Sequence, residues 1–226
     1  DNKYENAYFH RGYANYEIEK FYEAIIDYSQ ALEINPKNED AFFNRGLSKI
    51  KIKDYDGAIK DFSKVIELNP SNNLALSNIE EIEKKIDEKS EKALIDKGFS
   101  NLQSENYQES ISDFTKAIEI NPSNSYSFET RAYSRAKIGD FKGAINDLSE
   151  AIRLNPTSYP YMLRGYYKTE IGDVEGAASD YKKVFSIGNK KEILSAINYL
   201  SYSYISNGIY QEILPLINKG KEISKY

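Results

Sequence analysis

The chain has 226 residues, 40% of them apolar and 29% charged, with a formal net charge of -5. That balance describes an ordered, mildly acidic protein and argues against a surface built to collect phosphates by counterion release, so nucleic acid is not an expected partner. The lack of cysteine excludes disulfides, thiolate catalysis and cysteine metal sites, the single histidine, His10, leaves no histidine metal cluster, and no apolar run approaches the roughly 18 residues of a membrane span.

In chain order, Ala7 to Ile18 reads as one helix and Tyr22 to Ile34 as a second. Glu19, Lys20 and Phe21 form the turn between them, and Asn35-Pro36 is the stop, because proline lacks a donor and crowds the preceding turn. The text that ends this pair, Glu33 to Pro36, recurs in near copies at Glu67 to Pro70, Glu119 to Pro122 and Arg153 to Pro156. Units therefore begin near Glu5, Glu39, Glu91, Ser125 and Ser158. A degenerate sixth runs from about Leu194, with Ser201, Tyr210 and Ile213 in the expected columns.

Two columns of small residues run through these units: Gly12, Gly46, Gly98, Ala132, Gly165 and Ser201, then Ala24, Ala58, Ser110, Ala144 and Ala177. Bulky residues fill the complementary columns, including Tyr28, Phe62, Phe114, Leu148 and Tyr181 in the second helices. Large against small is what two closely packed helices require.

A basic residue stands just before each small residue of the first column, at Arg11, Arg45, Lys97, Arg131 and Arg164. Sixteen positions later comes an aspartate every time: Asp27, Asp61, Asp113, Asp147 and Asp180. The sixth unit loses both together, with Leu200 and Leu216 in their place. This covariation predicts five ion pairs that join the two helices of each hairpin, replaced by an apolar contact in the last.

Pro36 to Pro70 spans 34 residues but Pro70 to Pro122 spans 52, so the third unit carries 18 extra. Nothing from Leu74 to Gln103 stops a helix, and 18 residues is five turns, which keeps Ile79, Ile82 and Ile86 in phase with Leu94 and Phe99. The expectation is one long helix. A joint at Asp87 to Ser90 is the alternative.

The 34-residue period, with aromatic, small, alanine, aromatic and proline at fixed offsets, resembles the tetratricopeptide repeat family. The resemblance implies an all-α fold, a right-handed superhelical solenoid of antiparallel helix pairs (an α-α superhelix) with about six units. Residues 1–72 would be units one and two, 73–90 a helical insertion continuous with unit three, 91–193 units three to five, and 194–226 the sixth unit or a cap. In this family the first helices line the inner face. Carried over, the peptide-binding positions are Phe9, Tyr13, Tyr16, Phe43, Leu47, Ile95, Phe99, Glu129, Tyr133, Met162, Tyr166 and Tyr202. Some family members clamp the carboxylates of chaperone tails; the matching places here are Phe9, Tyr13, Asn44, Lys92 and Asp96, which keep one Asn and one Lys but put the wrong charge at Asp96. Tight binding of such a tail is not expected.

No glycine-rich phosphate loop, nucleophile elbow or histidine with a nucleophile is present, so no catalytic residues, metal site or cofactor are expected. The expected role is a non-enzymatic scaffold that binds a protein or peptide in an aromatic groove, without membrane insertion. Two alternatives stand beside it. One is self-association through the apolar C-terminal unit, from Leu194, Ile197, Leu200 and Ile205 to Leu214, Leu216 and Ile217. The other is that the chain is the repeat portion of a larger protein. The heavy use of Ile, Lys, Asn and Tyr is the coding bias expected of an AT-rich bacterial genome. Localisation stays open between cytoplasmic and exported.

Overall fold

The computed structural model describes residues 2–224. Among them lie twelve α-helices, a 3-10 turn at Tyr210–Glu212 and no strand. The helices are α1 (Asn2–Glu17), α2 (Phe21–Ile34), α3 (Glu39–Lys51), α4 (Tyr55–Leu68), α5 (Asn73–Gln103), α6 (Tyr107–Ile120), α7 (Ser125–Lys137), α8 (Phe141–Leu154), α9 (Ser158–Glu170), α10 (Val174–Ile187), α11 (Lys190–Ser206) and α12 (Ile213–Ser224). Packing groups them into two units, the first ending at Glu88 and the second beginning at Lys89. The dividing point falls inside α5, whose backbone is helical for 31 residues, including Asp87 to Ser90. α11 starts at Lys190 because Asn189 and Glu192 form a reciprocal capping box there.

Unit 1 stacks α1 to α4 in order, and the front of α5 closes its end. Ile82 is fully buried with Ala58, Phe62, Val65 and Ala75, while Ile79 and Ile86 flank the cluster at helical spacing. Unit 2 continues from the back of α5 through α12. One of its clusters gathers around Ala132, Ala144, Leu148 and Tyr167, and another around Tyr181, Val184, Ile197, Leu200 and Leu216.

The small columns let ring meet backbone. A Cβ placed on Gly46 would stand 2.9 Å from the Phe62 ring, and one on Gly98 would stand 2.8 Å from the Phe114 ring. Where the small residue is Ala132, its partner shrinks to Leu148, and both are fully buried. The short turn inside each helix pair places one residue at positive φ: Glu19, Lys53, Glu105, Gly139, Gly172 and Gly208 in succession.

All five basic and acidic pairs touch. The shortest N–O distances are 2.7 Å for Arg45 with Asp61, 3.0 Å for Lys97 with Asp113, 2.7 Å for Arg131 with Asp147 and 2.6 Å for Arg164 with Asp180, and Arg11 Nε donates to Asp27 at 2.9 Å. The aspartates are buried, so each needs more than one donor. The second comes from the residue four on from the basic one: Asn15, Lys49, Asn101, Arg135 and Lys168. Three arginines also reach back to a hydroxyl on the second helix of the preceding pair, Arg45 to Ser29, Arg131 to Thr115 and Arg164 to Ser149. These side chains hold helices to each other. Leu200 and Leu216, which replace the pair in the last unit, share one buried cluster.

A second polar device secures the first three repeats. Glu5 accepts from the side-chain amides of Asn35 and Asn38, Glu39 from those of Asn69 and Asn72, and Glu91 from those of Asn121 and Asn124. The carboxylate at the start of one repeat thus fastens the Asn-Pro turn that leads into the next.

Candidate functional site

In unit 1 most of the expected face is taken up by packing. The Phe9 ring lies 5.7 Å from that of Tyr28, Tyr16 meets Phe21 edge-on at 5.5 Å, and Phe43 meets Phe62 edge-on at 5.4 Å. Leu47 packs against the cluster around Phe62. Tyr13 is the open member, with 49% of its surface exposed.

In unit 2 the corresponding face is hollowed. A cavity of about 370 Å³ is lined by Tyr133, Ala136, Lys137, Phe141, Tyr159, Met162, Leu163, Tyr166, Tyr167 and Tyr199. A second, of about 510 Å³, is lined by Phe99, Leu102, Gln103, Glu105, Tyr107, Tyr126, Glu129, Thr130, Tyr133, Lys137 and Tyr159. Tyr133, Lys137 and Tyr159 belong to both, so the two cavities adjoin. Of the expected residues, Phe99, Glu129, Tyr133, Met162 and Tyr166 come together here. Ile95 and Tyr202 line neither cavity.

Several lining residues escaped the sequence reading. Tyr126 and Tyr159 stand three positions before Glu129 and Met162 and seven before Tyr133 and Tyr166, so one more turn of the same helical stripe would have included them. Tyr167 occupies the column filled elsewhere by Ala14, Ser48 and Ser134, and this large residue in a small place forms a buried wall, its ring 5.9 Å from that of Phe141. Tyr199 lies edge-on to Tyr166 at 6.0 Å and stacks on Tyr181 at 6.2 Å.

The electrostatics follow from burial. Desolvation pushes the phenols of Tyr159, Tyr166 and Tyr167 above their ordinary value, so they stay neutral hydroxyls at physiological pH. Lys137 lies over the Tyr133 ring at 5.1 Å, and its ammonium is held further in the charged form chiefly by a hydrogen bond to that tyrosine. The half-buried Glu129 carboxyl is pushed up by desolvation. Among the described residues no group of three or more acidic or histidine side chains could hold a metal, and no helix is long and apolar enough to cross a membrane. The arrangement offers rigid ring faces, hydroxyls, one cation and one unpaired carboxylate, which suits recognition of a segment with mixed apolar and charged side chains.

Comparison with known proteins agrees with this architecture. Profiles of the tetratricopeptide repeat match residues 5–38, 39–72 and 91–124, the three repeats that begin with Glu5, Glu39 and Glu91. Among solved structures, YrrB, described as a TPR protein with an unusual peptide-binding site, is 18% identical with a TM-score of 0.50, covering 87% of this chain and 91% of that one. At that identity the likeness concerns the fold alone. The PilF protein of Pseudomonas aeruginosa is 15% identical with a TM-score of 0.44, covering 98% and 92%. The first TPR domain of Spaghetti, bound to an HSP90 peptide, is 24% identical with a TM-score of 0.48, covering 53% and 94%. A search of curated protein sequences finds no match.

Proposed function

Because the chain belongs to the tetratricopeptide repeat family, we propose that it is a non-enzymatic interaction scaffold whose second unit grips a peptide segment of a partner protein along α7, α9 and α11. The observation that carries this reading is the pair of adjoining tyrosine-lined cavities that share Tyr133, Lys137 and Tyr159. Tyrosine supplies contact area and a hydroxyl at low entropy cost, and repeated first helices present such rings in a row. Unit 1 contributes less, since Phe9, Tyr16, Phe43 and Leu47 are half-buried against neighbouring side chains and Tyr13 is the most open of its expected residues. A chain of net charge -5 with a carboxylate in its groove is a poor match for nucleic acid.

The test is a pull-down from lysate of the native organism with the intact chain and a Tyr133→Ala, Tyr159→Ala double variant, both checked by circular dichroism. Those two rings are 37% and 52% exposed, belong to none of the fully buried clusters and line both cavities, so their loss should spare the fold. A protein enriched on the intact chain and lost from the still-helical variant supports the groove; the same proteins on both would move binding elsewhere.

A second reading, pairing of two copies, is favoured by exposed Ile205, Leu214 and Ile217 at the C-terminal end. Ile197, Leu200 and Leu216 do not belong to that surface, because they are buried in the unit's own cluster. Light scattering across a concentration series decides it: a constant monomer mass removes this reading.

A further inference from the structure

The larger of the two cavities carries a charge that the fold leaves unanswered. In unit 2 the buried acids are each met by donors: Glu91 by two asparagines, Asp113 by Lys97 and Asn101, Asp147 by Arg131 and Arg135, Asp180 by Arg164 and Lys168. Glu129, half-buried in the middle of α7, has no ion pair and no hydrogen bond among the described residues. Burying part of a carboxylate without a partner is unfavourable, and the cost is recovered when a cation arrives.

The surroundings state which cation fits. Phe99, Tyr126, Tyr133 and Tyr159 line the same cavity as Glu129. Phe99 and Tyr126 lie with ring centroids 5.6 Å apart. Aromatic faces beside a carboxylate accept the methylene stem of a long basic side chain and then its charged head, through cation–π contact and a charge-assisted hydrogen bond. The cation already lining the cavity, Lys137, sits over the Tyr133 ring at 5.1 Å and forms no ion pair with Glu129 among the described residues. Glu105, on the same lining, adds to the negative field.

We infer that this cavity is the subsite for a basic side chain, lysine or arginine, of the bound peptide, with Glu129 as its counter-ion and Phe99, Tyr126, Tyr133 and Tyr159 as its walls. This rests on the groove reading above and sharpens it: the partner's segment is basic at one position and carries apolar side chains for the neighbouring cavity around Met162, Tyr166 and Tyr199.

The test is selection from a random-peptide phage library on the full chain, followed by titration calorimetry of the enriched peptides against the intact protein, Glu129→Gln, Glu129→Lys and the Tyr133→Ala, Tyr159→Ala double variant. Enriched peptides should share a Lys or Arg position, lose about tenfold in affinity on Glu129→Gln, and lose that loss when their basic residue is replaced by norleucine. Glu129→Lys should instead select Asp or Glu at that position. Peptides without a basic position, acidic peptides, or a basic preference that survives Glu129→Gln in a folded variant would overturn the inference while leaving the groove in place. Peptides indifferent to the tyrosine double variant, or none enriched at all, would overturn the inference and the groove together.

Discussion

Arg131 grips Asp147 with both arms of its fork: Nε donates to one carboxylate oxygen at 2.9 Å and Nη2 to the other at 2.7 Å, while Nη1 reaches Thr115 Oγ1 at 3.0 Å. One side chain thus ties α7 to α8, its partner in the hairpin, and to α6, the second helix of the repeat before. The same three-way tie recurs at Arg45 and Arg164. Arg11 and Lys97, whose side chains are 63% and 66% exposed against 11% for Arg131, stand in the first repeat of each unit and lack the hydroxyl contact. The ties hold α7 and α9 against their neighbours, and those helices carry tyrosines that line the two cavities.

Removing one partner of such a pair strands the other. Asp147→Ala leaves Arg131 and Arg135 without their acceptor in a buried setting and should cost about 3 kcal/mol in chemical denaturation. Arg131→Leu with Asp147→Leu, which copies the native pairing of Leu200 with Leu216, should recover part of that loss, since an apolar pair replaces the ion pair while Arg135 keeps the Gly143 carbonyl as acceptor. A double variant as unstable as the single would show that the charge itself is required.

At Gly46 the limit is space. A methyl group there would press on Phe62 at 2.9 Å, so Gly46→Ala should destabilise by about 1–3 kcal/mol through overpacking. Adding Phe62→Leu should restore part of the loss, because the protein itself pairs Ala132 with Leu148. Thermal melts of the two variants check this, and no recovery in the double would place the strain elsewhere.

How far the sequence shows the fold depends on how local the signal is. The pairing of Arg131 with Asp147 was legible because both residues vanish together in the last unit. Glu39 holding Asn69 and Asn72 was equally periodic, but it looked like a helix start followed by a turn, and only the three-dimensional closeness of one repeat's beginning to the next repeat's turn gives it meaning. At the groove, Tyr133 and Tyr166 could be named from their column. That the column of Glu129 and Met162 is half-buried against Tyr28 and Phe62 in unit 1, at Phe9 and Phe43, depends on which ring lies beneath it, and spacing alone does not report that.

The hairpin turns offer a reciprocal experiment. Lys53 sits at φ 63° and Gly139 at φ 83° in equivalent turns. A side chain in this conformation costs about 1–2 kcal/mol, partly offset by the extra freedom glycine has when unfolded. Lys53→Gly should therefore stabilise by about 0.5–1 kcal/mol and Gly139→Ala should destabilise by about 1 kcal/mol, both read from urea midpoints. Shifts of the same sign would refute the shared-strain account.

Glu129 makes the stability of the chain sensitive to pH. Burial raises its carboxyl above the ordinary 4.5 in the folded chain. Between the unfolded and folded values the native state binds more protons than the unfolded one, so the stability this group contributes is fully present below the unfolded value and is lost as pH rises through the folded one. Glu129→Gln lacks that loss. The stability of the variant minus that of the intact chain should therefore grow as pH rises through the window just above 4.5 and then level off. Urea titrations at a series of pH values read it directly, and a flat or falling difference would contradict a desolvated Glu129. Lys137 keeps its charge across this range, and the Tyr159 phenol, raised by burial, stays neutral, so neither obscures the result. A basic peptide in the cavity reverses the balance, since its cation favours the ionised carboxylate. Affinity for such a peptide should increase with pH through the same window, and in Glu129→Gln that slope should disappear.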